Sequence, residues 1–295
     1  MNTRSSKNRA ATPTGARQEL PAIPAATVWP TSTADPCDGD GDGEVQKITL
    51  VTHDYNRRDA RGLWDYSEYV GRINRRCDQE GCDTILYAPY TWDVRSAVPK
   101  TQEALFEGLG RVRRIILEAG DLSANGDEPG LEDLAIEVWR RGDPLPLTIR
   151  QLFAKSQEAA AYAEPFVDDL PRRRIANALV MVCGESNIIP LVRVSGVSDP
   201  YRINRRLTEM GVGVVLNPVH DYMRRYEMKL KRQYFSRGGR SVVSVWNQGK
   251  RGEAHLPWTV FHGGEDHTAA VRELPTPFEE REDIRIGIVS LPFLK

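Results

Sequence analysis

The 295-residue chain is poor in cysteine and histidine, with 4 and 5, and its charges nearly cancel: 40 Lys+Arg against 41 Asp+Glu give a formal net charge of -1. That balance removes any whole-chain electrostatic case for binding nucleic acid or an anionic membrane surface. No apolar run approaches the roughly 18 residues of a membrane span, and no apolar signal core stands at the N-terminus, so the expectation is no membrane and a cytoplasmic location. Cys37, Cys77, Cys82 and Cys183 form no CxxC and no regular framework, which argues against a disulfide scaffold and suits a reducing compartment. Cys77 and Cys82 have no nearby His or second cysteine pair, and His220, His262 and His267 fall in no HxH or HExxH spacing, so no metal is expected. "GKRGE", Gly249 to Glu253, lacks the spacing of a phosphate-binding loop.

What is present divides into a leader and a domain. Residues 1–44 are rich in Pro, Ala, Thr, Ser, Gly and Asp without apolar periodicity, which predicts a disordered leader before a domain over 45–295. "DGDGDGE" alternates acidic residues like a calcium loop, but the ligands that should follow are replaced by the strand-like "VQKITLVT", so a solvated linker is the expectation. From Val45 onward, strand-like runs alternate with helical ones. The strands are expected at 47–52, 83–90, 113–120, 133–140, 177–184, 212–218, 241–247, 256–262 and 284–291, and helices at about 63–80, 100–111, 148–162, 200–210 and 220–237. This pattern predicts an α/β fold with more than one sheet or one large layered sheet. On the last helix Tyr222, Tyr226, Leu230 and Tyr234 repeat every four residues, predicting a packed stripe with Arg224, Arg225, Lys229, Lys231 and Arg232 on the solvated side.

"NALVMVCGESNIIPL", Asn177 to Leu191, climbs through apolar residues to Cys183 and turns abruptly polar. A cysteine there is either a small core residue or a nucleophile presented at a strand end. Taken in order, "VMVCGE", "INRRLTEMGVGVVLNPV" and "EMKLKRQYFSRGGRSVVSVWNQG" resemble the second half of the nitrilase superfamily, the carbon–nitrogen hydrolases. The resemblance covers about 177–249 and implies a layered α-β-β-α sandwich, no organic cofactor or metal, and a homodimer or larger assembly. It also implies thiol attack on a small non-peptide amide, with Cys183 as nucleophile and a lysine between the base and the cysteine, for which Lys155 in "RQLFAKSQE" is the candidate.

The first half departs from the family. Where a strand should end in Pro-Glu, with Glu as general base, "DTILYAPY" places Tyr90 after Pro89. A phenol with an ordinary pKa of about 10 is a poor base at neutral pH. Asp93 and Glu185 are the possible substitutes, and Glu158 or Glu164 could orient the substrate as a second acid. With the base missing, the alternative is a catalytically silent nitrilase-like fold serving as a ligand sensor or protein-interaction module. A nucleic-acid role for the basic 220–235 helix rests on local charge alone.

Overall fold

The computed structural model describes residues 43–122, 133–192, 196–220, 226–249, 256–275 and 278–291, so the 1–44 leader lies outside the described residues apart from Gly43 and Glu44. The strands are β1 (Lys47–Thr52), β2 (Thr84–Tyr87), β3 (Trp92–Asp93), β4 (Arg114–Gly120), β5 (Leu134–Arg140), β6 (Leu147–Ile149), β7 (Arg174–Ile175), β8 (Ala178–Val180), β9 (Leu191–Val192), β10 (Gly196–Val197), β11 (Val214–Val219), β12 (Ser241–Trp246), β13 (Trp258–His262), β14 (Glu265–Asp266), β15 (Arg272–Leu274) and β16 (Arg285–Ser290). The helices are α1 (Ser67–Gln79), α2 (Gln102–Phe106), α3 (Ser156–Asp169), α4 (Ile203–Glu209) and α5 (Tyr226–Phe235). No helix among the described residues is long and apolar enough to cross a membrane.

An eight-stranded sheet runs β15-β16-β1-β2-β4-β5-β6 with β3 beside β4, and a six-stranded sheet runs β14-β13-β12-β11-β8-β7. Strands covered on both faces carry near-continuous apolar runs rather than alternation, and "RIILEAG" of β4, "VVLNPV" of β11 and "SVVSVW" of β12 are buried at every position. One core lies between the sheets, where Ile48, Leu86 and Ile116 of the first meet Val180, Leu216 and Val243 of the second. The outer face of the first sheet packs on α1 and α2 through Val70, Ile73, Cys77 and Leu105, and that of the second packs on helix residues such as Ala159, Phe166, Ile203 and Phe235. The layers therefore stack α-β-β-α. Helix α1 forms because Val70, Ile73, Asn74 and Cys77 place one face inward at helical spacing.

Two helical expectations shift. The segment expected as a helix from 148 is strand β6 until Ile149, and α3 begins only at Ser156, where the Glu158 carboxylate accepts the Ala154 and Lys155 N–H groups. On α5 the inward face is Met228, Lys231, Arg232 and Phe235, while Tyr226 is 73% exposed and Tyr222 lies outside the described residues. Long cationic stems can cover apolar surface when their heads find partners. Lys231 Nζ donates to Asn187 Oδ1 at 2.5 Å, and the Arg232 guanidinium lies 5.5 Å from the Trp246 ring centroid.

Candidate functional site

β1, β2 and β4 run parallel, as do β8, β11 and β12. The carboxyl ends of parallel strands are where an α/β fold opens into loops, and those loops carry side chains that the sheet need not bury. Tyr90 follows β2, Glu118 lies near the end of β4, Cys183 follows β8 and His220 follows β11. At the same end the sheets are sewn together through Asn247. Its Oδ1 accepts the His53 N–H at 3.2 Å after β1, and its Nδ2 donates to Pro89 O at 2.6 Å after β2. Thr52 Oγ1 adds a 2.7 Å bond to Trp246 O. The "NQG" after β12 thus holds both sheets at the rim, and Gly249 is required there, because a Cβ would stand 2.1 Å from Asp54 Oδ1 and its φ is +81°.

The nucleophile candidate sits on a tightly built turn. Cys183 adopts φ +23°, a backbone conformation that side chains rarely take and that persists only when surroundings fix it. Three contacts fix it. Asn217 Nδ2 donates to Met181 O at 2.6 Å just before the turn. A Cβ on Gly184 would meet Ala154 O at 2.4 Å, so only glycine lets the 152–154 segment lie against the turn. Glu185 closes the arrangement: its carboxylate accepts Val182 N–H at 2.9 Å and Leu152 N–H at 3.0 Å and pairs with Arg173 NH1 at 2.5 Å. The turn's first hydrogen bond runs from Glu185 N–H to Val182 O at 2.9 Å, so the Cys183 and Gly184 N–H groups precede its ladder.

Around the sulfur stand groups that sequence reasoning did not assemble. The His220 backbone N–H donates to Cys183 Sγ at 3.4 Å. The His220 imidazole, whose side chain is 8% exposed, brings Nε2 to 2.6 Å from Glu118 Oε1. The other Glu118 oxygen accepts the Tyr90 N–H at 2.9 Å, and the Tyr90 ring lies 5.2 Å from the imidazole and stacks on Trp64 at 5.0 Å. Tyr90 has φ +62°, a left-handed conformation at a non-glycine residue. A small void borders Glu118, His220, Val182 and Gln151, with apolar walls from β5 and β6. Burial pushes the His220 pKa down, but the Glu118 carboxylate and hydrogen bonds with Cys183 and Glu118 outweigh it and raise the pKa to about 10.

The raised pKa has a consequence for stability. A histidine whose folded pKa exceeds its unfolded value of about 6.5 adds stability that is fully present below that pH and is lost as pH rises toward about 10. Urea denaturation at pH 7.0 and pH 9.5 should show the parent losing more unfolding free energy than His220→Gln across this interval. Equal losses would mean that the ion pair contributes nothing.

The sequence-derived candidates separate into several places. Lys155 is exposed at the start of α3, and no bond or ion pair joins it to Cys183. Glu158 serves as that helix's cap, and the N–H groups of Ala154 and Lys155 hold its pKa below the usual range. Glu164 is exposed on the same helix. Asp93 accepts Arg95 Nε at 3.0 Å and Leu122 N–H at 2.8 Å; burial pushes its pKa up, but these bonds bring it below the ordinary value. Glu185 is buried on Arg173 beneath the turn. Tyr90 does reach the site, but through its N–H to Glu118 and its ring on His220. Among the described residues, no group of three or more His, Cys, Asp or Glu could hold a metal ion.

Two signals for the missing pair were present in the sequence. A glutamate inside the apolar "RIILEAG" is an unusual residue for a buried strand, and a histidine directly follows "VVLNPV". Nothing in the sequence says that they meet.

No protein-family model and no curated protein matches the chain. Among solved structures, a double mutant of the amidase from Nesterenkonia sp. in complex with acrylamide aligns with TM-score 0.43 and 10% identity, covering 85% of this chain and 92% of that one. A carbon-nitrogen hydrolase from Helicobacter pylori aligns with TM-score 0.42 and 10% identity, covering 83% and 89%. A glutamine-dependent NAD(+) synthetase from Cytophaga hutchinsonii gives 0.42 and 8% over 83% of this chain and 43% of its own. All three are remote alignments at the level of fold, at low sequence identity.

Proposed function

We propose that the chain is a thiol-dependent hydrolase of a small non-peptide C–N bond, with Cys183 as its nucleophile. The observation that carries this reading is the setting of the sulfur: half-buried, on a turn of φ +23°, accepting the His220 backbone N–H at 3.4 Å, next to a residue whose imidazole is held by a carboxylate. A cysteine serving only as core would need neither the strained turn nor the charged neighbours. The sequence resemblance over 177–249 points to the same chemistry and to a homo-oligomer, and the cysteine pattern adds a cytoplasmic location to the proposal. Attack on an amide carbonyl would form a thioester and release the amine, and water would then release the acid. The N–H groups at the start of the Cys183 turn are donors on which a developing oxyanion could settle, a contribution on the order of 3 kcal/mol per donor.

Acid quenching during turnover of p-nitrophenyl acetate and of small primary amides, followed by peptide mass spectrometry, tests this reading. The expected result is an acyl adduct confined to the peptide bearing Cys183. If no substrate acylates Cys183, the fold is a silent ligand-binding or interaction module. If turnover proceeds with the adduct elsewhere, the assignment of the nucleophile is wrong.

A further inference from the structure

The loop after β1, "NRRDARG" from Asn56 to Gly62, holds three arginines whose guanidinium groups are used differently. Arg57 NH1 pairs with Asp283 Oδ1 at 3.1 Å, and its NH2 donates to Glu280 O at 2.7 Å. Arg61 pairs with Asp59 at 2.8 Å and with Asp65. Arg58 has no such partner: among the described residues no carboxylate or carbonyl accepts from its guanidinium, which lies 3.3 Å from the Trp64 ring centroid and 5.6 Å from that of Tyr55. A separation of 3.3 Å leaves room only for a face-to-face stack, so the N–H groups of the fork point outward in its own plane. Burial pulls the Arg58 pKa below the ordinary value, against the Tyr55 and Tyr90 phenols, whereas hydrogen bonds with Asp59 raise that of Arg61. Arg58 is thus a half-buried cation held on an aromatic face with its donors uncommitted.

The platform under it is fixed in advance, which lowers the cost of ordering on binding. Trp64 Nε1 donates to Tyr55 O at 2.8 Å, and the loop is closed by Asp59 N–H to Leu63 O at 2.8 Å and Leu63 N–H to Asp59 Oδ1 at 2.9 Å. From there neighbouring rings lead to the sulfur. Trp64 stacks on Tyr90 at 5.0 Å, Tyr90 lies 5.2 Å from the His220 ring, and the His220 backbone N–H reaches Cys183 Sγ at 3.4 Å. Leu134 belongs both to the Trp64–Tyr90 cluster and to the wall of the void beside Val182, Glu118 and His220. We infer that Arg58 binds a carboxylate on the molecule whose other end meets Cys183. The inference rests on the hydrolase reading for cleavage, where it makes the substrate an amide with a remote acid group, but not for binding. Two rings, Trp64 and Tyr90, intervene between Arg58 and His220, so a carboxylate directly beside the scissile bond would not span the site. Charge favours a carboxylate over a phosphate dianion: Arg57 and Arg61 are matched by Asp283, Asp59 and Asp65, leaving one cation in the loop to balance one negative charge.

Iodoacetyl derivatives of ω-amino acids test this without turnover, because each carries a thiol-reactive carbon at one end and a carboxylate at the other. The N-iodoacetyl derivatives of glycine, γ-aminobutyrate and ε-aminohexanoate, each beside its neutral primary amide, should be followed at Cys183 of the full chain by peptide mass spectrometry at neutral pH. In the parent, the acid of best-fitting length should label about tenfold faster than its amide, and the glycine pair should show the smallest ratio. Arg58→Gln should bring the best ratio below about twofold, and a ratio taken within one protein cancels any general change in thiol reactivity. Arg58→Lys, which keeps the charge without the flat stack, should give an intermediate ratio, a result that a folding defect would not produce. The inference is overturned if the parent shows no preference for acids at any length, or if Arg58→Gln keeps the parental ratio. A carboxylate preference at Cys183 without acyl adducts on any amide would keep the anion site and remove the hydrolase reading. Acyl adducts formed with no carboxylate preference would do the reverse.

Discussion

Cys183→Ala is expected to lower turnover of any substrate found for this chain by on the order of 10⁴-fold or more, while its urea midpoint stays close to that of the parent. Loss of a covalent nucleophile removes the thioester route entirely, and residual rates in such variants come only from binding and oxyanion stabilisation. The fold should tolerate the change. Alanine meets the same backbone constraint at φ +23°, and the lost contacts are those of one sulfur: the His220 N–H bond and packing against Val219, Met228 and Trp246 and against the edge of the inter-sheet core. A variant that stays folded and keeps more than about a tenth of parental turnover would show that the chemistry lies elsewhere.

Glu185→Ala should act in the opposite sense, on the fold before the chemistry. Arg173 and Glu185 side chains are both 0% exposed, so truncating the acid leaves a buried guanidinium with Asp169 and the Arg150 carbonyl as acceptors but none for NH1, and it strips the acceptor from the Val182 and Leu152 N–H groups. Breaking a buried pair by removing one partner costs about 3–5 kcal/mol. Urea denaturation should record a loss of that size. Glu185→Gln, which keeps an oxygen for one of the two N–H groups, should lose less. If the alanine variant unfolds within about 1 kcal/mol of the parent, Glu185 is not the clamp under the turn, and a catalytic role for it would have to be reconsidered.

Much of the fold was legible because so many strands are covered on both sides. Runs such as "KITLVT" and "SVVSVW" announce themselves by sustained apolar character, and the structure places strands within all the long runs expected. β8 is shorter than "NALVMVCG" suggests, because Met181 and Val182 already lead into the turn, where Asn217 and Glu185 take over their backbone groups. β3, β7, β9, β10 and β14, of two residues each, leave no periodic trace. Cys183 was legible as a strand-end cysteine, but its partners were not. Glu118 and His220 are separated by 102 positions, and only the pairing of two different sheets at one rim brings them together. Asp93 was a reasonable substitute base by chain proximity to Tyr90; Arg95 and the Leu122 N–H, neither of which proximity reveals, employ it in holding a loop.

The position of β1 sets how the chain must be made. It lies between β2 and β16, pairing antiparallel with β16 from Lys47↔Ser290 to Thr52↔Arg285. Its second neighbour is therefore synthesised about 240 residues after it, on the order of 12 to 50 s at translation rates of about 5–20 residues per second. During that interval one edge of β1, an apolar strand, has no native partner and presents open N–H and C=O groups to other chains. Contacts of such sequence separation also slow folding itself, since the loop must close before pairing rewards it. Nascent chains stalled before β16 should accordingly depend on chaperones and associate readily, because β1 gains its second neighbour only once β16 has been made.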